Sequence, residues 1–241
     1  MLQSDSVISD PSERRSAGGE AQPAWVAVER YAEARLAPSD PALDGALARS
    51  EAAGLPGINV TASQGKLLHL LARIAGARRI LEIGTLGAYS TIWLARALPA
   101  GGRLVTIEVD PAVAEVAREN LLEAGLTDIV DLRVGRALDE LPGLEAEGGG
   151  PFDLIFIDAD KPSTPQYVDW ALRLSRPGSV VIVDNVVRAG ALADETNDDP
   201  RVAAMRQTVE AISRDPRLTA TLTQTVGAKG YDGFITAVVT D

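Results

Sequence analysis

The chain contains no cysteine and a single histidine, His69. The first absence removes disulfides, thiolate metal sites and cysteine nucleophiles together, and the second removes any centre built from several imidazoles. Any metal must therefore be held by oxygen. Basic residues are also scarce: 23 Lys and Arg stand against 34 Asp and Glu, a formal net charge of −11, and they form no cluster. A nucleic-acid or anionic-membrane surface needs a basic patch, so a small molecule is the expected partner, with no nucleic acid and no membrane. No apolar run approaches the roughly 18 residues of a bilayer span, and no basic stretch followed by an apolar one opens the chain. A cytoplasmic protein is the expectation.

What is present is enough apolar material for one sizeable core, 46% of 241 residues. Residues 1–22 are rich in Ser, Gly, Asp, Glu and Arg and read as a mobile tail, with a single domain over 23–241. Within 23–60 two accessory helices are expected to lie over a sheet: Trp25, Val28 and Tyr31-Ala32 fall at helical spacing, and Ala42-Leu43 and Ala46-Leu47 follow the start signal Ser39-Asp40-Pro41. A third helix over 62–75 carries Leu67-Leu68, Leu71 and Ile74 on one stripe.

Beyond it strand and helix patterns alternate. Strands are expected at 79–83, 103–108, 129–134, 152–158, 180–184, 219–225 and 233–239, and helices at 89–98, 111–124, 164–175 and 200–214. The first five strands are nearly continuous apolar runs separated by helices, the mark of a parallel sheet covered on both faces. The last two are separated only by Gly227–Asp232 and should form an antiparallel edge hairpin. Glu145–Gly150 reads as an exposed loop.

The acidic residues follow this pattern. Glu82, Glu108, Asp158 and Asp184-Asn185 each end a strand, and ligands of open parallel sheets bind at those ends. In Glu82-Ile83-Gly84-Thr85-Leu86-Gly87 a glutamate occupies the place of the first glycine of a dinucleotide fingerprint. An anionic side chain there repels a pyrophosphate but suits a cationic cofactor without phosphate, such as S-adenosylmethionine. Glu108 ends the next strand, where a carboxylate can accept ribose hydroxyls. Asp110 could serve instead, or cap the helix that begins at Pro111; Glu108 is taken for the ribose and Asp110 for the cap.

Asp158, Asp184 and Asn185 offer two carboxylates and an amide oxygen, three hard ligands that suit magnesium. The bland alternative is that Asp158 caps a helix and Asp184-Asn185 start a turn. Lys161 follows Asp158 by three residues. Beside a bound cation its ammonium form is disfavoured, which would let it accept a proton from a substrate hydroxyl, although Asp160 opposes that effect. His69, Tyr167 and Trp170 read as core or pocket wall.

Taken together, INVTASQGKLL, ILEIGTLGAYSTIWLA, FDLIFIDADK, SVVIVDNVV and KGYDGF, spread over residues 57–241, resemble the cation-dependent O-methyltransferases of the caffeoyl-CoA and catechol types. The resemblance implies a Rossmann-like, doubly wound α/β fold. Its seven-stranded sheet would be mostly parallel with an antiparallel C-terminal hairpin, and helices would cover both faces. It implies that Val60, Glu82, Gly84, Thr85, Ser90, Glu108, Ala137 and Asp158 contact S-adenosylmethionine. By the same resemblance Asp158, Asp184 and Asn185 hold Mg²⁺, or another divalent cation such as Mn²⁺ or Ca²⁺, and Lys161 is the base. A homodimer and an acceptor with vicinal hydroxyls on an aromatic ring are also implied. The chain departs from the family at Lys229-Gly230-Tyr231-Asp232-Gly233-Phe234, where a tighter Gly-Asp-Gly turn is expected, and over Arg188–Pro200. A nicotinamide-linked reductase is disfavoured by Glu82. A metal-independent small-molecule methyltransferase and a non-catalytic S-adenosylmethionine-binding protein stand as the alternatives.

Overall fold

The computed structural model describes residues 23–240; the tail expected over 1–22 lies outside the described residues. Three helices come first, α1 (Ala24–Leu36), α2 (Pro41–Ala52) and α3 (Ala62–Ile74). Their starts follow local chemistry: Asp40 accepts from the amides of Ala42 and Leu43 ahead of α2, and Thr61 accepts from Gln64 N ahead of α3. The alternating part then runs β1 (Arg79–Ile83), α4 (Tyr89–Ala95), β2 (Arg103–Glu108), α5 (Pro111–Glu123), β3 (Val130–Val134), α6 (Ala137–Ala146), β4 (Leu154–Ile157), α7 (Thr164–Arg173), β5 (Val180–Val183), α8 (Pro200–Arg214), β6 (Leu218–Gly227) and β7 (Gly230–Val239).

The strands form one seven-stranded sheet in the order β3-β2-β1-β4-β5-β7-β6. β1 to β5 are parallel, while β7 pairs antiparallel with both β5 and β6. The strand order reverses between β1 and β4, so the crevice of this sheet opens above the carboxyl ends of those two strands. Alternation of side chains divides the core. Ile80, Leu104, Leu154, Phe156 and Ile182 pack on one face with α2, α3, α4 and α5. Leu81, Ile83, Ile155, Ile157 and Val183 pack on the other with α6, α7 and α8. Among the described residues no helix is long and apolar enough to cross a membrane.

Three local expectations need correction. Helix α6 replaces what reads in the sequence as a connection, and Glu145 and Ala146 of the loop expected at Glu145–Gly150 belong to it. Ala137, Leu141 and Leu144 form its buried stripe, but Pro142-Gly143 inside it are strong breaker signals that mask the stripe. The apolar spacing of α1 does not face the sheet: Trp25, Val28 and Tyr31 are 46%, 66% and 63% exposed, and Val26 is the residue buried there. In α3 the inward stripe is Gly65, Leu68 and Ala72, leaving Ile74 81% exposed, because Gly65 lets the helix approach the Trp93 ring.

Candidate active site

The carboxyl ends of β1, β2, β4 and β5 surround a cavity of 1130 Å³. That exceeds the range of about 300–1,000 Å³ usual for one small-molecule pocket, so the space suits two ligands side by side.

One end of the cavity is built by the glycine turn after β1. Gly84 has φ +98, and a Cβ on it would sit 2.1 Å from the Asp158 carbonyl oxygen. Only glycine lets the β1 and β4 ends come this close. A Cβ on Gly87 would meet Ser50 Oγ of α2 at 2.0 Å, and the Gly87 carbonyl accepts from buried Asn120 Nδ2 at 2.9 Å. The turn is thus held between α2 and α5 before α4 begins.

Glu82 lies beneath this turn, fully buried. Its carboxylate accepts from Ser90 Oγ at 2.6 Å, Thr91 Oγ1 at 2.5 Å and Thr106 Oγ1 at 2.7 Å. Thr85 Oγ1 lies 2.6 Å from Thr106 Oγ1 and, since that hydroxyl gives its proton to Glu82, donates to it. Burial pushes the Glu82 carboxyl up to about 7, against the pull of the hydroxyls. Glu82 does not line the cavity, whereas Gly84, Thr85 and Ser90 do. It therefore stands behind the wall and orders the groups that face inward.

Glu108 does line the cavity. It accepts from Leu86 N at 2.9 Å through one oxygen and from Asp110 N at 3.0 Å through the other. A carboxylate has about four acceptor positions, so each oxygen keeps one free for a ligand hydroxyl. Asp110 caps α5 by accepting from Ala112 N at 2.8 Å, the division of roles read from the sequence. Val60, just ahead of α3, and Ala137, the first residue of α6, complete this end of the wall.

The other end is charged. Asp158, Lys161 and Asn185 line it, and Lys161 Nζ donates to Asp158 Oδ1 at 2.9 Å. Asp160 accepts from Tyr167 Oη at 2.5 Å and from Ser163 N at 3.2 Å, so it fixes the turn that carries Lys161. Burial raises the Tyr167 phenol, and the Asp160 charge raises it further. Tyr167 therefore stays a donor. Asp184 is buried behind Asn185; burial raises its carboxyl, and the nearby Asp158 charge raises it further while Lys161 opposes them. Among the described residues no group of three or more His, Cys, Asp or Glu side chains forms a metal cluster. The donor set here is instead two carboxylates, whose charges oppose each other, and the Asn185 amide. That chemistry fits a hard divalent cation.

Several contributors were not singled out from the sequence. The loop 55–59 roofs the cavity, and Lys229 of the β6–β7 turn donates to the carbonyls of Gly57 and Asn59. Glu29 of α1 accepts from Ala228 N in the same turn. Arg188 and Arg201 line the charged end. Arg188 follows Asn185 by three residues in the loop beyond β5, and that position was the available clue. His69 is structural: its Nδ1 lies 3.2 Å from the Trp93 carbonyl, and the two rings meet edge to face.

The sequence profile of a family described as O-methyltransferase matches residues 43–230. A catechol O-methyltransferase of Mycobacterium tuberculosis is 53% identical over 222 residues, which are 92% of this chain and 99% of that one. A catechol O-methyltransferase of Niastella koreensis is 49% identical over 88% of this chain and 96% of its own. Among solved structures, the O-methyltransferase from Bacillus cereus in complex with SAH superposes with a TM-score of 0.88 at 55% identity, over 90% of this chain and 98% of that one. TomG from Streptomyces achromogenes, an O-methyltransferase involved in tomaymycin synthesis and solved with SAM, gives 0.88 at 53% identity, with 90% and 98% covered.

Proposed function

The chain belongs to the O-methyltransferase family, and on that footing we propose that it methylates one hydroxyl of a vicinal dihydroxyaromatic small molecule with the help of a divalent cation. The observation that carries this reading is the single cavity, which joins the Gly84–Ser90–Glu108 wall to the Asp158–Lys161–Asn185 end.

S-adenosylmethionine supplies a methyl group on a sulfonium, and a divalent cation held by Asp158, Asp184 and Asn185 supplies the positive charge that makes a bound hydroxyl more acidic. The remaining roles belong to the chain. The free acceptor positions of Glu108 take the ribose hydroxyls. Gly84, Thr85 and Ser90 line the place of the methionine part, with Glu82 fixing Ser90 from behind, and Val60 and Ala137 flank the cofactor. Lys161, entering the reaction as the neutral amine, takes the phenolic proton at Nζ and becomes the ammonium, and Asp158, 2.9 Å away, orients it. The phenolic oxygen forms its new bond to the methyl carbon as the sulfur–carbon bond breaks. Holding oxygen and methyl in line within one closed space can be worth roughly 7–11 kcal/mol of the barrier. The protein would act as a homodimer in the cytoplasm, and a monomer in light scattering would contradict the first part.

A metal-independent reaction is favoured by one observation: Lys161 already neutralises Asp158. Incubation with S-adenosylmethionine and a panel of small catechols, with magnesium or with a chelator, separates the readings through S-adenosylhomocysteine formation. Product that requires the metal supports the proposal. Product insensitive to the chelator supports the metal-independent reaction, and binding without product from any catechol overturns the catechol assignment.

A further inference from the structure

The loop beyond β5 carries an unusual backbone. Asn185, Arg188 and Ala189 have φ of 55, 55 and 56, the left-handed region that side chains disfavour. One residue holds this shape: the Asp232 carboxylate accepts from Val187 N at 3.1 Å, Arg188 N at 2.9 Å and Gly233 N at 2.9 Å. Asp232, in the turn that opens β7, thus fastens the middle of the loop that carries Arg188 at the cavity edge. Strain of this kind persists only when neighbouring contacts impose it.

The other cations on the wall at this end are engaged, and so are most of the carboxylates. Lys161 takes Asp158, and Arg201 takes Asp199 at 2.5 Å. Asp160 is occupied by Tyr167 and Ser163, and Asp232 by the three amides. Arg136, the third arginine on the cavity wall, sits 4.0 Å from Asp139. Among the described residues the Arg188 guanidinium alone of these cavity-lining cations has neither a hydrogen bond nor an ion pair, although Asp199 is close enough to feel its charge. In a chain of net charge −11, a half-buried arginine left free at a ligand cavity is a docking group for an anion. Guanidinium matches a carboxylate in a two-pronged, charge-assisted contact.

We propose that Arg188 is a specificity-determining residue that selects a vicinal dihydroxyaromatic acceptor bearing a carboxylate. This rests on the catechol reading above and adds the acceptor's charge. Asn185 would hold the end where the hydroxyls react, and Arg188, in the same loop, would hold the anionic substituent away from it.

The test compares 3,4-dihydroxybenzoate with 3,4-dihydroxybenzamide, which differ in charge but little in shape, for the wild type, Arg188→Met and Arg188→Lys. The wild type should favour the acid in kcat/KM, and Arg188→Met should reduce the acid-to-amide ratio by about tenfold to a hundredfold, chiefly through KM for the acid. Arg188→Lys should restore part of the ratio, which a merely structural arginine would not do. Methylation of both compounds with a ratio unmoved by Arg188→Met overturns the inference and leaves the catechol reading standing. Methylation of neither by the wild type overturns the catechol reading and this inference with it.

Discussion

The two ends of the cavity treat negative charge in opposite ways. Under the glycine turn, Glu82 is surrounded by hydroxyl donors, and Glu108 is held by two backbone amides. Both are oriented before any ligand arrives. At the ends of β4 and β5, Asp158 and Asp184 repel each other with one lysine between them, and the neighbouring loop is held in left-handed backbone. The first arrangement is a completed polar network, which gives a rigid wall. The second leaves charge to be balanced by whatever binds, as a reacting centre requires. One fold therefore keeps a preorganised end beside an electrostatically unfinished one.

The largest effect should come from breaking the unfinished end. Asp158→Ala removes a proposed metal ligand and the partner of Lys161, so kcat should fall about a thousandfold or more, the scale of a lost charge-stabilising group. Retention of wild-type turnover in magnesium would show that the metal assignment is wrong. Next is the place where they touch. Gly84→Ala puts a Cβ 2.1 Å from the Asp158 carbonyl oxygen at φ +98. It should cost about 3 kcal/mol of stability in chemical denaturation, and an unchanged midpoint would mean that the close approach is not required.

The smallest effect concerns the completed network. Burial keeps Glu82 protonated in the fold up to about pH 7, whereas the unfolded chain releases that proton near 4.5. Between those values the native state binds more protons than the unfolded one, so stability falls as pH rises, by at most roughly 3 kcal/mol from this group. Glu82→Gln should flatten the fall in denaturation midpoint between pH 5 and 7.5, with the share of Asp184, also raised by burial, remaining. The same slope in the variant would show that Glu82 titrates as an ordinary carboxylate.

Much of the architecture was legible in the chain. The expected bounds of β1 and β2 coincide with the observed ones, because short runs dominated by β-branched residues and leucine that end near a glycine or Asp-Pro signal leave little freedom. The site was legible as a set of strand ends. Less was legible about direction. The spacing of Trp25, Val28 and Tyr31 identifies a helix but not the side it turns to the protein, and it turns that face outward. The same limit separates Glu82 from Ser90: both belong to one motif, yet only Ser90 reaches the cavity.

Short-range sterics and hydrogen bonding set the strand–glycine–helix unit, the caps at Asp40, Thr61 and Asp110, and the alternation that divides the core, since each depends on residues a few positions apart. Contacts between distant segments decided the rest. The sheet order brings Gly84 against Asp158 and sets Asp232 of the last strand against the backbone of Val187 and Arg188. Pairs such as Asp158–Lys161 and Asp199–Arg201 lie close in sequence, but which charge is left without a partner is a property of the assembled surface, because it depends on distances through space to every other segment.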